Sequence, residues 1–433
     1  MKLVKPWTKT QDASKDERDA DNEFLQRLKF KAYETTLEIL EAKQLTVDRI
    51  SQGMLAEEIA RSLEVVLAVD GVTLGITQRR RLTEEIKYEV TGYGPIQPYL
   101  DDPTVNDVIV NGHKTIYVER NGELEERPSR FRDDNHLMNI IQRIVSPIGR
   151  RVDESSPYVD ARLPDGSRVN VIIPPVALDG PMLSIRKFRE QPFQAKELVR
   201  MGTMSSEMLA YLISAVRARL NILICGGTGS GKTTLLNVLS GFIGRKERVV
   251  TIEDTAELRL QQPHVVRLET RPRTPDNPES EITARDLMRN VLRMRPDRII
   301  LGEVRGTEAI DMLQAMGTGH HGSMATLHAN STRDAMDRLE ILIGLGEMRA
   351  EPRTLRRYIA NVVQIIVHVK RFAGARRVLS IAEITGVEGD AYTLNEMFRF
   401  SEDMAKSDNG KFEQAAGRSH FAARLQPVDL WDT

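Results

Sequence analysis

One glycine-rich segment, residues 226–233, constrains this chain more than any other part of it. Its sequence GGTGSGKT fits the phosphate-loop pattern G-x-x-x-x-G-K-[ST]. An apolar run, residues 222–225, precedes the segment, and a helical pattern of leucine and valine follows it. A loop in this context lies at a helix N-terminus, where backbone N–H groups and the helix dipole favour an anion. A flexible glycine-rich turn is the alternative, but it would not require the flanking strand and helix.

The phosphate loop predicts ATP and Mg²⁺ as cofactors. Lys232 is expected to reach the β- and γ-phosphates, and the Thr233 hydroxyl is expected to bind Mg²⁺. The glycines allow backbone N–H groups to turn toward the β-phosphate. The predicted nucleotide-binding residues are Gly226, Gly227, Thr228, Gly229, Ser230, Gly231, Lys232, Thr233 and Thr234.

Length and charge narrow the class of protein. At 433 residues the chain exceeds what one core usually supports, so two or three domains are expected. Its 61 Lys and Arg residues nearly balance 62 Asp and Glu residues, which gives no overall attraction for nucleic acid or an anionic bilayer. The single cysteine, Cys225, excludes an internal disulfide framework. No segment approaches the roughly 20 apolar residues that span a bilayer, so we expect a cytoplasmic protein that reaches a membrane only through a partner.

Hydrophobic periodicity changes along the chain. Helical spacing before residue 92 gives way to a period of two from Val105, with Asn-Gly turns at residues 111–112 and 121–122. After residue 220, apolar runs that recur between helical patterns indicate a parallel sheet. The predicted fold class is α/β, with a predominantly parallel sheet in a P-loop C-terminal domain, preceded by a smaller α+β domain and an N-terminal helical module.

These changes also predict domain boundaries. Both ends of the chain are polar and have little to bury, so we expect them to be unstructured. The predicted boundaries are 1–20 for a disordered tail, 21–100 for the helical module, 101–188 for the α+β domain, 189–195 for a linker, 196–400 for the ATPase domain and 401–433 for a flexible C-terminal tail.

Acidic residues follow two of the predicted parallel strands. Ligands of such sheets lie beyond the carboxyl ends of the strands, so these groups are candidate catalytic residues. Glu303 is the candidate to hold Mg²⁺ through a water molecule, although Gly-Glu stands where a Walker B aspartate is usual. Glu253 is the candidate to polarise the attacking water, with Asp254 and Glu257 as alternatives. Each carboxylate taken singly is also compatible with a helix N-cap or a solvated loop.

His328 follows a third such strand. It is the candidate to donate a hydrogen bond to the γ-phosphate and so to distinguish ATP from ADP. A metal site that includes His320 and His321 is disfavoured, because adjacent side chains of an extended strand point to opposite faces. No cysteine ligand lies nearby either.

The chain contains, in this order, GGTGSGKTT at 226–234, TIEDTAEL at 251–258, RIILGEVRG at 298–306 and GTGHHGSMATLHANS at 317–331. These four motifs resemble those of the secretion ATPase superfamily, which includes the motors of type II secretion, type IV pili and type IV secretion. Two segments outside the four motifs look like the CpaF-type ATPase of Tad/Flp pilus assembly: GRRVDESSPYVDARLPDGSRVNVIIPP at 149–175 and LSIRKF at 183–188. Type II relatives often carry a four-cysteine zinc element, which this chain lacks. The four motifs are similar, in order, to the Walker A, Asp box, Walker B and His box of that superfamily.

The resemblance implies a RecA-like C-terminal domain and a PAS-like α+β domain. It also implies a homo-hexamer that hydrolyses ATP to drive Tad/Flp pilus assembly or secretion, with retraction left open. Such a motor acts on an inner-membrane platform protein and is peripheral at the cytoplasmic face through its partners. Arginines are then expected near the γ-phosphate, namely Arg162, Arg168 and Arg186 from the N-terminal domain and Arg305 from the Walker B segment.

Two other functions are compatible with a phosphate loop. A DNA-stimulated translocase is disfavoured, because the near-neutral charge and the 5% aromatic content give no stacking groove, and we expect no nucleic-acid partner. A non-hydrolysing, nucleotide-dependent regulator would bind ATP without releasing phosphate. Measuring ATP turnover by the purified chain distinguishes these two functions from an ATPase motor.

Overall fold

The chain divides into two compact units, Met1–Arg189 and Glu190–Thr433. The computed structural model describes residues 13–45, 50–120, 122–188, 193–271, 273, 280–346, 351–372, 375–402, 410–428 and 430. Within these ranges, none of the helices combines the length and apolar character needed to cross a bilayer.

The first unit begins with a bundle of three helices. They pack around a core that includes Leu28, Ile59, Leu63 and Ile86, all fully buried. The expectation of disorder over residues 1–20 is wrong for residues 13–20, because the first helix already includes them; alanine and charged residues in this segment favour a helix. Residues 1–12 lie outside the described residues. The helices are α1 (Ala13–Ala42), α2 (Gln52–Asp70) and α3 (Ile76–Thr91).

A six-stranded antiparallel sheet follows in the same unit, with strand order β3-β2-β1-β6-β5-β4. One face is covered by a helix whose Leu137, Ile140, Ile141 and Ile144 are buried, so the strands at residues 107–111 and 168–172 alternate between buried and accessible side chains. The elements are α4 (Gln97–Asp101), β1 (Asp107–Asn111), β2 (Thr115–Arg120), β3 (Glu123–Arg127), α5 (Asp134–Val145), β4 (Tyr158–Arg162), β5 (Arg168–Ile172) and β6 (Met182–Arg186).

The second unit is built on a nine-stranded sheet of order β15-β14-β13-β12-β7-β11-β10-β8-β9, in which the six strands from β12 to β9 are parallel. β9 was not predicted from the sequence. The strands are β7 (Ile222–Cys225), β8 (Val249–Glu253), β9 (Val265–Glu269), β10 (Arg298–Val304), β11 (Met324–Leu327), β12 (Ile365–Phe372), β13 (Ala375–Glu388), β14 (Ala391–Glu402) and β15 (Gly410–Gln414).

Helices cover both faces of this sheet. Successive residues of β7 point to opposite faces, so Leu223 and Cys225 enter one core while Ile222 and Ile224 enter the other. All the carboxyl ends of the central parallel strands therefore meet at one edge. The helices are α6 (Ala195–Arg200), α7 (Ser206–Arg217), α8 (Lys232–Ser240), α9 (Ala284–Val291), α10 (Glu308–Gly317), α11 (Thr332–Gly344) and α12 (Pro352–Val362).

The C-terminal segment corrects the expectation of a flexible tail over residues 401–433. β14 continues to Glu402, and residues 410–428 pack on the second unit rather than fraying. The physical reason is a fully buried carboxylate, Glu383, which accepts hydrogen bonds from the His420 N–H (2.7 Å) and the Ser419 hydroxyl. Residues 403–409, 429 and 431–433 lie outside the described residues. The apolar side chains that pack against the core are Phe412, Phe421, Leu425 and Val428.

Candidate functional site

The phosphate loop connects β7 to α8, which begins at Lys232. Two of its glycines are required by the backbone. Gly231 has a φ of 99°, which L-residues rarely adopt, and a Cβ at Gly226 would clash with the Val369 carbonyl oxygen of the adjacent strand β12. The sequence therefore folds into a tight loop at a helix N-terminus, packed against a neighbouring strand.

Lys232 points back into this loop. Its side chain is buried, and Nζ donates a hydrogen bond to the Gly227 carbonyl oxygen at 3.0 Å. Nζ also lies 3.4 Å from Nε2 of His328, which follows β11. Burial lowers the pKa of Lys232, and the nearby Glu303 carboxylate partly offsets this effect. The Lys232 ammonium is thus a desolvated cation at the mouth of the loop.

Glu303 joins the ends of two strands. Its Oε1 lies 2.7 Å from His328 Nε2, and its Oε2 accepts a hydrogen bond from Arg305 Nη2 at 2.7 Å. The pairing of β10 with β11 shifts register between Leu301 and Val304, and an irregularity of this kind re-aims the side chains within it. Burial, followed by the charge of Lys232, lowers the pKa of His328, which favours the neutral imidazole.

Arg305 links Glu303 to a third loop. Its Nη1 lies 2.9 Å from Oδ2 of Asp254, the residue after β8. The hydrogen bond with Glu303 raises the pKa of the guanidinium above its ordinary value. The loop that carries Arg305 is itself fixed by Glu308, whose Oε1 accepts hydrogen bonds from the N–H groups of Arg305 (2.6 Å) and Gly306 (2.8 Å).

Glu253 ends β8 and is almost fully buried. Its Oε2 accepts hydrogen bonds from the N–H groups of Glu257 (2.7 Å) and Leu258 (2.8 Å). Its Oε1 is buried with no hydrogen-bond partner among the described residues. Burial raises the pKa of this carboxyl group. A Cβ at Gly302 would lie 3.0 Å from Glu253 Cγ, so the glycine in the Walker B segment leaves space for this side chain.

The remaining predicted loop residues fit a phosphate and Mg²⁺. Thr233 and Thr234 are half-buried in the first turn of α8, and Thr228 is exposed. The Ser230 hydroxyl is buried and has no hydrogen-bond partner among the described residues, which suits a site that binds further oxygens. His320 is engaged elsewhere, because its Nδ1 lies 2.9 Å from the Pro296 carbonyl oxygen.

The three N-terminal arginines form a row on the first unit. Arg162 of β4 lies directly opposite Arg168 of β5, which lies opposite Arg186 of β6. Arg186 Nε donates a hydrogen bond to Asp107 Oδ1 at 3.0 Å. The structure brings Lys232, Glu303, Arg305 and His328 together in the second unit, whereas this row belongs to the first.

Comparison with known proteins identifies the family. The sequence pattern of the family described as "Type II/IV secretion system protein" matches residues 89–392, which is more than half of the chain. The chain belongs to this family. The superfamily expected from the four motifs is thereby confirmed.

Relatives support this membership. A Mycobacterium tuberculosis protein named for conjugal transfer is 38% identical over 323 residues, which cover 73% of this chain and 91% of the relative. The type IV secretion system protein PtlH of Bordetella pertussis is 35% identical over 315 residues, which cover 66% of this chain and 92% of the relative.

One solved structure has a similar fold. The pilus retraction motor PilT with bound ADP aligns with a TM-score of 0.50 at 20% identity, covering 75% of this chain and 83% of the motor. The expected fold class, with a RecA-like C-terminal domain after a smaller N-terminal domain, is confirmed. At this identity the likeness concerns the fold alone.

One residue of this secretion-family site was missed from the sequence. Arg376, the second residue of β13, donates a hydrogen bond from Nε to the Gly229 carbonyl oxygen at 3.1 Å. The contact joins residues 147 positions apart, and no motif marks it. The only signal was the pair of arginines, Arg376 and Arg377, at the start of a strand.

Proposed function

We propose that this chain is an ATP hydrolase that converts ATP and water to ADP and phosphate. The observation that carries the proposal is the meeting of Lys232, His328 and Glu303 beside the phosphate loop, linked by distances of 3.4 Å and 2.7 Å between their polar atoms. A cation for phosphate, a carboxylate at a strand end and a hydrogen-bonding imidazole are groups that phosphoryl transfer uses.

The loop residues 226–234 and Lys232 would bind the β- and γ-phosphates. The Thr233 hydroxyl, and Glu303 through a water molecule, would hold Mg²⁺, since oxygen donors of this kind suit that ion. When bound, Mg²⁺ neutralises negative charge on the phosphates. His328 would exchange its contact with Glu303 for a hydrogen bond to the γ-phosphate, and so would sense whether that phosphate is present.

Glu253 is the proposed general base. One of its oxygens is fixed by two backbone N–H groups, and the other, Oε1, has no partner among the described residues and can take a water molecule. Because burial raises its pKa, the Glu253 carboxylate accepts a proton more readily than an exposed glutamate does. Asp254 is less suited, because it is paired with Arg305. Glu257 contributes its N–H group to fixing Glu253.

Arginines are proposed to complete the positive charge around the γ-phosphate. Arg305 would exchange its carboxylate partners, Glu303 and Asp254, for the phosphate. The row of Arg162, Arg168 and Arg186 would supply further positive charge, because guanidinium groups bind phosphate oxygens through charge-assisted hydrogen bonds. We propose that this row reaches ATP bound by the same subunit or by a neighbour in a homo-hexamer.

The proposed biological role is that of a motor for Tad/Flp pilus assembly or secretion, acting at the cytoplasmic face of an inner membrane through a platform protein. Two observations support it. The relatives are named for conjugal transfer and type IV secretion. The segments at 149–175 and 183–188 resemble the CpaF-type ATPase.

The decisive test replaces Lys232 by alanine. We expect phosphate release to fall at least about 100-fold, because one lost charge-stabilising contact typically costs that much. Phosphate release by purified protein is measured with saturating Mg·ATP, and circular dichroism checks the fold. Lys246→Ala, which removes an exposed lysine of the same unit, is the matched control. Unchanged turnover in Lys232→Ala would refute the proposal.

The same assay separates the alternatives. Tight ATP binding without phosphate release, even with the membrane partner added, would indicate a nucleotide-dependent regulator. Strong stimulation by DNA with a steep salt dependence would indicate a translocase.

A further inference from the structure

We infer that Arg376 is a positioning residue of the phosphate loop, which holds the loop from the strand behind it and thereby sets the affinity for nucleotide. The inference rests on the proposed ATP-hydrolysing function. Arg376 belongs to none of the four motifs, and its side chain reaches the loop from the antiparallel part of the sheet.

The backbone of β12 lies directly behind the loop. β12 pairs with β7 as far as His368 opposite Cys225, which is the residue before the first loop glycine. The next carbonyl oxygen, that of Val369, occupies the space where a Cβ of Gly226 would lie. β12 therefore leaves no gap between itself and the start of the loop.

β13 then returns past the loop. Arg371 of β12 pairs with Arg376 of β13, so the Arg376 side chain starts beyond the end of β7. Its Nε donates a hydrogen bond to the Gly229 carbonyl oxygen at 3.1 Å. Its Cδ lies 3.3 Å from the position that a Cβ of Gly231 would take. One side chain thus contacts two of the loop glycines.

The backbone beside Arg376 is anchored. Arg377 Nη1 donates a hydrogen bond to the Gly202 carbonyl oxygen at 2.8 Å, and the Val378 N–H donates to the Thr203 carbonyl oxygen at 2.8 Å. The Arg377 guanidinium also lies 5.2 Å from the centre of the Phe400 ring. Arg376 therefore extends from a fixed strand, so its contact with the loop restrains the loop.

This restraint matters because glycine-rich backbone is conformationally broad. Gly229 and Gly231 both have positive φ, of 68° and 99°, and neither has a side chain to limit it. The Gly229 carbonyl and the Ser230 N–H belong to one peptide group, so a donor on the carbonyl orients and polarises that N–H. A loop held before the ligand arrives binds it more tightly, because less ordering entropy is lost.

The test compares Arg376→Ala and Arg376→Lys with the wild type. A single hydrogen bond is worth about 0.5–1.5 kcal/mol, so we expect Arg376→Ala to raise the Kd for ADP and the KM for ATP about 3- to 10-fold. kcat at saturating Mg·ATP should stay within twofold, because Arg376 is not placed at the reacting atoms. Arg376→Lys, which keeps a donor and a charge, should recover at least half of the lost affinity. ADP binding is measured by calorimetry.

The control is Arg399→Ala, which removes an exposed arginine of the same sheet whose partner is Glu396 and should leave both constants unchanged. A Kd for ADP within twofold of the wild type in Arg376→Ala, or a loss of kcat with KM unchanged, would overturn the inference alone. A wild-type chain that binds ADP but releases no phosphate would sink the proposed hydrolysis, while the affinity of Arg376→Ala would still decide the inference. A wild-type chain that binds no nucleotide would overturn both.

Discussion

A lysine, a glutamate and a histidine meet at two places in this chain, and the two clusters differ in how completely their polar atoms are satisfied. In the first unit, Glu89 accepts a hydrogen bond from Lys29 Nζ at 2.9 Å, and its other oxygen lies 2.9 Å from His136 Nε2. Lys29 and Glu89 are only 3% and 2% exposed. This cluster joins α1, α3 and α5.

The pKa of Glu89 reflects the hydrogen bonds that both of its oxygens make. Burial alone would raise it, but the hydrogen bonds and charges of His136 and Lys29 outweigh burial, so the pKa of Glu89 lies below its ordinary value. Lys29 and Glu89 thus neutralise each other within the first unit. We interpret it as a connection between the helical bundle and the sheet of the first unit.

The cluster of Lys232, Glu303 and His328 is open. His328 is 42% exposed and Glu303 is 19% exposed. Two buried polar atoms of the same site, Ser230 Oγ and Glu253 Oε1, have no hydrogen-bond partner within the described residues. The same residue types therefore stabilise the fold where their polar atoms bond to one another. Where they do not, polar groups are left available to a ligand.

The largest expected effect is on the closed cluster. Glu89→Gln should lower the free energy of unfolding by about 3–5 kcal/mol, because it leaves the Lys29 charge buried without its counter-ion. Urea denaturation of the first unit measures this loss. Phosphate release per folded molecule should not change. A loss below about 1 kcal/mol would mean that the cluster does not hold the bundle.

The mirror variant in the open cluster is Glu303→Gln. We expect kcat to fall about 100- to 1000-fold, because a charged group aimed at the reacting phosphates is lost. Stability should change by less than about 1 kcal/mol, since the ion pairs of Glu303 are partly exposed. Phosphate release and urea denaturation of the same sample test both statements. A large loss of stability would remove the distinction between the clusters.

The smallest expected effect is in the pH dependence of stability. The pKa of Glu89 is lowered, so its stabilisation is present above its ordinary value of 4.5 and is lost as pH falls through the folded-state pKa. The pKa of Glu253 is raised by burial, so its stabilisation is present below 4.5 and is lost as pH rises through the folded-state pKa. Glu253→Gln should therefore be more stable than the wild type at pH 7, by on the order of 1 kcal/mol.

Denaturation of Glu253→Gln and wild type at pH 7 and pH 4 provides the measurement. The stability gain of Glu253→Gln over the wild type should shrink toward pH 4. The stability deficit of Glu89→Gln should also shrink toward pH 4. If both variants were less stable than the wild type at pH 7, the contrast between the two carboxylates would fail.

The open cluster was predictable from the sequence and the closed one was not. Lys232 lies in the loop after one apolar run, and Glu303 and His328 each follow another. The carboxyl ends of parallel strands meet at one edge, so the approach of these three side chains follows from the fold class. No such rule brings Lys29, Glu89 and His136 together. Glu89 lies 60 positions from Lys29 and 47 positions from His136 in the sequence. Their meeting depends on how three helices pack.

The details within the open site were also beyond the sequence. The space that Gly302 leaves for Glu253 and the reach of Arg376 to Gly229 depend on distances between strands, which residue patterns do not encode. The C-terminal segment was misjudged for a related reason: its few apolar residues are too widely spaced to give a helix or strand period, although they pack on the second unit.

The packing of residues 410–428 on the second unit limits where a recombinant fragment of the chain can end. Removing everything after Glu402 would strip the buried Glu383 carboxylate of the Ser419 hydroxyl and the His420 N–H, and would leave it with Tyr211 and Asn395 as hydrogen-bond donors. Gln426 and Ser214 would also lose the pair of hydrogen bonds that they exchange, at 2.7 and 2.9 Å. A minimal fragment of the second unit should therefore extend at least to Val428.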